Sequence, residues 1–231
     1  MLTRGDLHIH STASDGDFSP WEIVKSAKEH GVDTIAITDH NSTDGINEAA
    51  WAGRQYGVAV IPAVELSTKY GGERVHILGY FKNNRFNDSI LKDILTLVKE
   101  HDIKTVRNIL KDFVYIKEYE DHLSVPEGIA LLKTFGAAAV LAHPVRIRVR
   151  NLPAVLSFPF DGIEAKYCNN SRYDTLYFIN IALSRFSFYT GGSDFHTNRG
   201  SYHTHCSIGN PSLNQMEIQI FLRNSGAIVL N

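Results

Sequence analysis

The hydrophobic positions of this chain fall into two alternating kinds of segment. Short apolar runs rich in β-branched residues occur at Asp6–His10, Thr34–Thr38, Ala59–Leu66, Arg74–Tyr80, Ala138–Ala142, Gly162–Lys166 and Phe188–Thr190. Several are apolar without alternation, as strands buried on both faces should be. Helical patterns lie between them. Ser19-Pro20-Trp21-Glu22 offers an N-cap serine, proline at the first helical position and glutamate three residues after the cap. Ile23, Ala27 and His30 follow at helical spacing, and Gly31 closes the helix. Thr43–Tyr56 reads as a second helix ended by Gly57, and Ser124-Val125-Pro126-Glu127 starts another that stops at Gly136. Ser171–Leu183 and Leu213–Asn224 supply the later ones. Residues Phe86–Leu123 differ. They are charged, carry Ile90, Ile94, Leu97 and Val98 at helical spacing, and hold no strand pattern. They predict a short helical insertion, or lid, between the fourth and fifth strands.

Strands alternating with helices specify an α/β fold with a parallel sheet. Seven strands suit an open doubly wound sheet or a distorted barrel, and periodicity does not choose between them. No repeat, low-complexity tract or Pro/Gly/Ser-rich linker divides the chain, so residues 1–231 read as one domain.

Composition narrows the function classes. The chain is 43% hydrophobic and 21% charged with a net charge of −2. Those values exclude a disordered chain and a broadly basic nucleic-acid binder, so no stable duplex DNA binding is expected. No stretch approaches the ~18 uncharged apolar residues that a membrane span needs. The start, Met1 to Asp6, lacks the charged-then-apolar order of a secretory signal. Cys168 and Cys206 make no disulfide framework and read as small buried hydrophobes. A cytoplasmic location is the expectation.

Histidine changes the picture: there are 11. His8 and His10 lie on and just after the first predicted strand, with Asp15 following. Asp39-His40 ends the second strand, Glu65 the third and His143 the fifth. His76 lies in the fourth, and Asp194 and His196 follow the seventh. In parallel α/β folds the C-terminal strand ends share one face, where active sites sit. Residues two apart on a strand point to one side, so both imidazoles of His8-Ile9-His10 can reach one point while Ile9 packs behind. Imidazole with carboxylate suits Zn, Mn or Fe. Glu65 is the natural bridging ligand, because a carboxylate has two oxygens and an imidazole one free lone pair. Burying so many ionisable groups without a cation would be very costly. His30, His101 and His122 read instead as ordinary surface residues, while His203 and His205 sit in a polar loop, Thr197–His205, that could border the site.

Six motifs carry a family resemblance. They are His8-Ile9-His10-Ser11 with Asp15-Gly16, Ile37-Thr38-Asp39-His40-Asn41, Val64-Glu65-Leu66-Ser67, Val75-His76-Ile77-Leu78-Gly79-Tyr80, Leu141-Ala142-His143-Pro144 and Gly192-Ser193-Asp194-Phe195-His196. In type and order they resemble the PHP (polymerase and histidinol phosphatase) family. The resemblance implies a distorted seven-stranded (β/α)7 barrel with parallel strands and a trinuclear metal site. It implies one ion on His8, His10, Glu65 and Asp194, a second on Glu65, His76 and His143, and a third on Asp15, His40 and His196. Asp39 would hydrogen-bond a ligand or a backbone group. Family members acting on nucleotides carry a longer insertion with an Arg-Pro-His stretch, which Phe86–Leu123 lacks.

The expected chemistry is phosphoester hydrolysis by a metal-bridging hydroxide attacking phosphorus in line, on two or three divalent ions (Mn, Fe or Zn). The substrate would be a small phosphoester such as a nucleotide, a nucleoside bisphosphate or an oligonucleotide end. Arg146, three residues past His143, is placed to steady transition-state charge, with Lys166, Arg172 and Arg199 as weaker candidates. His196 or metal-bound water could protonate the leaving group. Arg146, Arg148 and Arg150 would share one side if their segment is extended. Histidinol-phosphate phosphatase, amide or lactone hydrolysis, and a non-catalytic metal-holding module working with a protein partner are the rival readings.

Overall fold

A computed structural model describes residues 2–111, 121–198 and 206–230. Its strands are β1 (Arg4–Ile9), β2 (Thr34–Ile37), β3 (Ala59–Tyr70), β4 (Glu73–Phe81), β5 (Ala137–Leu141), β6 (Gly162–Tyr167), β7 (Phe188–Gly192) and β8 (Leu213–Asn214). Its helices are α1 (Pro20–Glu29), α2 (Ile46–Tyr56), α3 (Ser89–Lys99), α4 (Ile103–Leu110), α5 (Val125–Thr134), α6 (Leu152–Val155), α7 (Arg172–Arg185) and α8 (Gln215–Ser225). Four helices start on the same device. Ser19, Ser124, Ser171 and Asn214 each cap the amide three residues on, and the acid there, Glu22, Glu127, Asp174 or Glu217, accepts from the cap backbone. Two orphan donors are satisfied at each site, which fixes where each helix begins.

The eight strands form one sheet in the order β7-β6-β5-β4-β3-β2-β1-β8. The far edges also meet. Asp194 N donates to His8 O (2.9 Å) and His10 N to Phe195 O (2.9 Å), which nearly closes the sheet into a barrel. A Cβ at Gly192 would overlap the Cβ and amide nitrogen of His8, so only glycine allows β7 to come this near β1.

The expectation of parallel strands needs one correction. β1–β2–β3 and β5–β6–β7 are parallel, but β4 runs antiparallel to both of its neighbours. The cause is a two-residue turn, Gly71-Gly72, with φ of 56° and 74° between the paired Tyr70 and Glu73. Positive φ at both central residues suits the twist of a hairpin and favours glycine. A short eighth strand, β8, pairs antiparallel with β1. It takes the first two residues of the helix expected at Leu213–Asn224. α2 begins at Ile46 rather than Thr43, whose hydroxyl donates to Phe86 O (2.8 Å).

Three apolar clusters hold the layers together. Leu7, Ile61, Leu78, Tyr80 and Val140 pack with Phe221 of α8. Ile9, Ile35 and Val60 pack against Ile23 of α1 and Ala49 of α2. Leu66, Ile77 and Leu141 pack against Ile94 of α3, Val106 of α4 and Leu132 of α5. The insertion is therefore part of the largest cluster rather than an appendage. Of the segment Phe86–Leu123, residues 112–120 lie outside the described residues.

Candidate metal centre

β1, β3, β4 and the segments after β2, β5 and β7 deliver their polar residues to one place. Glu65, fully buried on β3, is the hub. Its Oε1 faces His76 Nδ1 (3.1 Å) and His143 Nε2 (3.0 Å). Its Oε2 faces His8 Nε2 (3.4 Å), His10 Nε2 (3.2 Å) and His40 Nδ1 (3.1 Å). Asp194 Oδ1 lies 3.3 Å from His8 Nε2 and 3.2 Å from His10 Nε2. Asp15, His40 and His196 gather on the outer side, with His196 Nε2 3.4 Å and His40 Nε2 3.8 Å from Asp15. All nine residues expected from sequence thus share one cluster. Ile9 packs behind its two histidines, among Ile23 and Val24.

Among the described residues, three ligand groups have donor atoms mutually within 4.8 Å: His8, His10, Glu65 and Asp194; His40, Glu65 and His76; and His10, Asp15, His40 and His196. The first matches the expected set. In the second, His40 stands where the resemblance puts His143, although His143 still touches the same Glu65 oxygen as His76.

The donor chemistry fits divalent cations. His8 Nε2, both ring nitrogens of His10, His40 Nδ1 and Glu65 Oε2 are buried and make no hydrogen bond. Orphaned buried polar atoms are costly, and five that converge are what a cation would satisfy. Backbone strain sits at the same place, with φ of 26° at His143, 52° at Asp194 and 47° at Asn41. Non-glycine residues adopt such values at a cost that is commonly borne at functional sites.

Within the cluster, neighbouring charges oppose the effect of burial at several groups. Burial alone would raise the Glu65 pKa, but His40, His76 and His8 hold it well below its ordinary value. Burial would lower His10, yet Asp194 and Glu65 push it up to about 9. Against burial, Glu164, Glu65 and Asp194 lift His8 well above its usual value. His40 falls to about 4, first from burial and then from the neighbouring His10 and His76. Glu65 is therefore held as the anion, the form a metal ligand needs.

Glu164, on β6, was not legible as a site residue. It is fully buried, accepts from His8 Nδ1 (2.9 Å), and its other oxygen accepts the His143 amide (2.7 Å). In the neutral ring that a metal ligand must be, the bond to His8 would keep the proton on Nδ1 and leave the Nε2 lone pair facing Glu65. The available signal was an acid inside an apolar strand, Gly162-Ile163-Glu164-Ala165. Tyr167 was also missed; its hydroxyl donates to Asp194 Oδ2 (3.0 Å). Asp39 accepts from Ser11 N (2.7 Å), Ser11 Oγ (2.7 Å) and Ser14 Oγ (2.6 Å), and so fixes the loop that carries Asp15.

The cationic candidates divide. Arg146 Nη1 lies 3.5 Å from Asp194 Oδ2, and its guanidinium stands 5.9 Å from the Tyr167 ring centre. Lys166 is engaged elsewhere, with Glu217 Oε2 at 2.7 Å. Arg172 is exposed at the first turn of α7. Arg199, His203 and His205 lie outside the described residues. The segment at Arg146 is not extended. Pro144–Arg146 form a 3-10 turn, and Arg148 pairs with Glu73 (2.9 Å), so the strand alternation that would align the three arginines does not apply. The expectation for the cysteines is also overturned. Cys168, after β6, and Cys206 are half-buried and joined as a disulfide, because the loop after β6 and the segment following β7 meet at one end of the barrel. His30 is an exposed helix end, its Nδ1 donating to Ser26 O (2.8 Å). His101 is exposed and His122 half-buried, as expected of surface residues, and their rings lie 5.2 Å apart.

A barrel-like α/β sheet that gathers imidazoles and acids on and just after its strands is a scaffold that could hold metal ions. Residues 6–157 match the PHP domain, and the chain belongs to that family. A 5′-3′ exoribonuclease of Haemophilus influenzae is 46% identical over 79 residues, covering 34% of this chain and 29% of that protein. A 3′,5′-nucleoside bisphosphate phosphatase of Chromobacterium violaceum is 40% identical over 74 residues, 32% of this chain and 26% of that protein. The match thus spans less than a third of either relative. A phosphoribosyl 1,2-cyclic phosphate 1,2-diphosphodiesterase of Eggerthella lenta is 24% identical across 83% of this chain and 93% of that protein. Among solved structures, a chain from Bifidobacterium adolescentis, assigned by its name to the metal-dependent phosphoesterases, superposes with a TM-score of 0.71 at 21% identity over 96% of both chains. At that identity it shows a shared fold. No helix among the described residues is long and apolar enough to cross a membrane.

Proposed function

We propose that this chain is a metal-dependent phosphoesterase that hydrolyses a small phosphoester such as a nucleotide. The observation that carries the reading is a group of four imidazole nitrogens, on His8, His10 and His40, and one Glu65 oxygen, all buried and none in a hydrogen bond. The names of the relatives, an exoribonuclease, a bisphosphate phosphatase and a cyclic phosphodiesterase, support phosphoester chemistry over amide hydrolysis.

His8, His10, Asp15, His40, Glu65, His76, His143, Asp194 and His196 would hold two or three divalent ions, of Mn, Fe or Zn. Bound ions of this kind lower the pKa of coordinated water toward about 7 and neutralise phosphate oxygens. The protein's own groups do the rest. Glu164 orients His8 and fixes the His143 backbone. Arg146 is half-exposed at the rim, free to turn its fork from Asp194 onto a phosphate oxygen. His196 donates from Nδ1 to Asp194 O (2.8 Å), which leaves Nε2 unprotonated in the neutral ring. That favours His196 as a ligand over His196 as the leaving-group acid.

The test is phosphate release from a panel of phosphomonoesters and nucleotides. Chelator should abolish it and added divalent ion restore it, and His10→Ala or Glu65→Ala should leave no turnover. Full activity in chelator-treated protein would end the reading.

A further inference from the structure

The chain has two cysteines, and both lie beside the metal centre. Cys168 follows the last residue of β6, and Cys206 N donates to Ser193 O (3.4 Å). Their disulfide joins positions 38 apart and closes the chain between them into a ring. That ring holds α7, β7, Asp194 and His196. Two of the proposed ligands therefore sit inside a covalent loop, and the others lie outside it.

Asp194 is gripped from both ends of the bridge. Tyr167, the residue before Cys168, donates its hydroxyl to Asp194 Oδ2 (3.0 Å). Ser193, the residue before Asp194, accepts from Cys206 N. Ser193 also gives its own amide (3.0 Å) and hydroxyl (2.6 Å) to the buried Asp6. Gly209, three residues after Cys206, donates to the same carboxylate (2.7 Å). Asp194 has a φ of 52°, which a non-glycine residue keeps only where its surroundings impose it. The bridge is part of those surroundings, because it pins the segment behind Ser193 to the residue after Tyr167.

The fold has no need of a staple. Three apolar clusters hold the layers together, and a core of this size supports stability unaided. Both cysteines are half-buried rather than enclosed in the core, and exchange with an external thiol depends on such access.

We propose that the Cys168–Cys206 disulfide is a redox switch on the metal centre. The bridged chain holds its ions tightly; reduction by a small thiol or a protein dithiol frees the segment that carries Asp194 and His196 and weakens ion binding. This inference rests on the metal-centre reading behind the proposed phosphoesterase and adds how that site is regulated. In the reduction a thiolate attacks one bridge sulfur, the S–S bond breaks, a mixed disulfide forms, and the freed cysteine sulfur takes up a proton. A second thiol then displaces the other cysteine sulfur. Two electrons pass to the bridge, two protons end on Cys168 and Cys206, and the reductant leaves as its own disulfide. Coupling between two binding equilibria is reciprocal, so the ions must protect the bridge by the same factor by which the bridge tightens the ions.

The experiment uses the full chain, manganese as the ion and the glutathione thiol–disulfide pair as the redox buffer. Manganese affinity is read by competition with a chelating dye on the bridged and the reduced chain, after the buffer is removed without air. The bridged fraction is read by alkylation and intact mass. The bridged chain should bind manganese about 10–100-fold more tightly. Manganese that saturates both states should shift the glutathione equilibrium of the bridge by that same factor. The double variant Cys168→Ser/Cys206→Ser should bind as the reduced chain does after either treatment, at an unchanged circular dichroism spectrum. Two thiols that stay free in oxidised glutathione, wild-type affinities within about twofold of each other, or a bridge indifferent to manganese would overturn the proposal. So would a double variant that binds as tightly as the bridged chain or keeps the redox effect. A chain that shows the coupling yet releases phosphate from no ester would sink the phosphoesterase reading alone, and one that takes up manganese in neither state would sink both.

Discussion

Glu164 illustrates how a single side chain can set the chemistry of others. One oxygen holds the His8 ring and the other the His143 backbone, so its loss loosens two proposed ligands at once. Partners of this kind are typically worth 10–100-fold in metal affinity or activity. Glu164→Gln should therefore weaken metal affinity, measured by competition with a chelating dye, by about that factor. An unchanged affinity would make Glu164 merely structural. Arg146 makes a different prediction. If it steadies charge in the transition state, Arg146→Ala should lower kcat about 10²-fold with a smaller effect on KM. A rise in KM alone would assign it to ground-state binding. Residues of the first kind are hard to read from sequence. His8 and His10 declare themselves by spacing, whereas Glu164 lies far along the chain from the histidine it serves.

At the scale of elements, strand positions were legible because buried strands are apolar throughout, but direction was not. An apolar run such as Val75-His76-Ile77-Leu78 looks the same whichever way the strand points. The information lay in the adjoining turn, where Gly71-Gly72 permits a hairpin and a parallel crossover would need many more residues. The insertion is tied down through Arg107 of α4, whose Nε donates to Glu127 Oε1 of α5 (2.8 Å). Burial opposes ionisation of Glu127, but Arg107 and Ser124 hold its pKa below the ordinary 4.5. A carboxylate with a depressed folded pKa stabilises above its unfolded pKa, and that contribution disappears as pH falls through 4.5 and below. Glu127→Gln should thus cost about 2 kcal/mol at pH 7, read by denaturant unfolding, with a shrinking difference from wild type toward pH 3. A difference that persists undiminished in acid would rule out this ion pair as its source.

The whole molecule works by closure. Nearly joining β7 to β1 brings Asp194 and His196 against His8 and His10, residues more than 180 positions apart in sequence. The convergence was readable because strand ends of an α/β sheet share a face. The disulfide was not, since pairing Cys168 with Cys206 depends on which loops meet there. The central claim is that the cluster around Glu65 chelates divalent cations. Its most direct test is metal content per chain, by elemental analysis after loading with manganese, iron or zinc and desalting, for the wild type and Glu65→Gln side by side. About two or three ions per wild-type chain, and at least one fewer in a variant that keeps its circular dichroism spectrum, is the predicted result. A wild-type chain that retains no ion, or a variant that keeps the full complement, would contradict it.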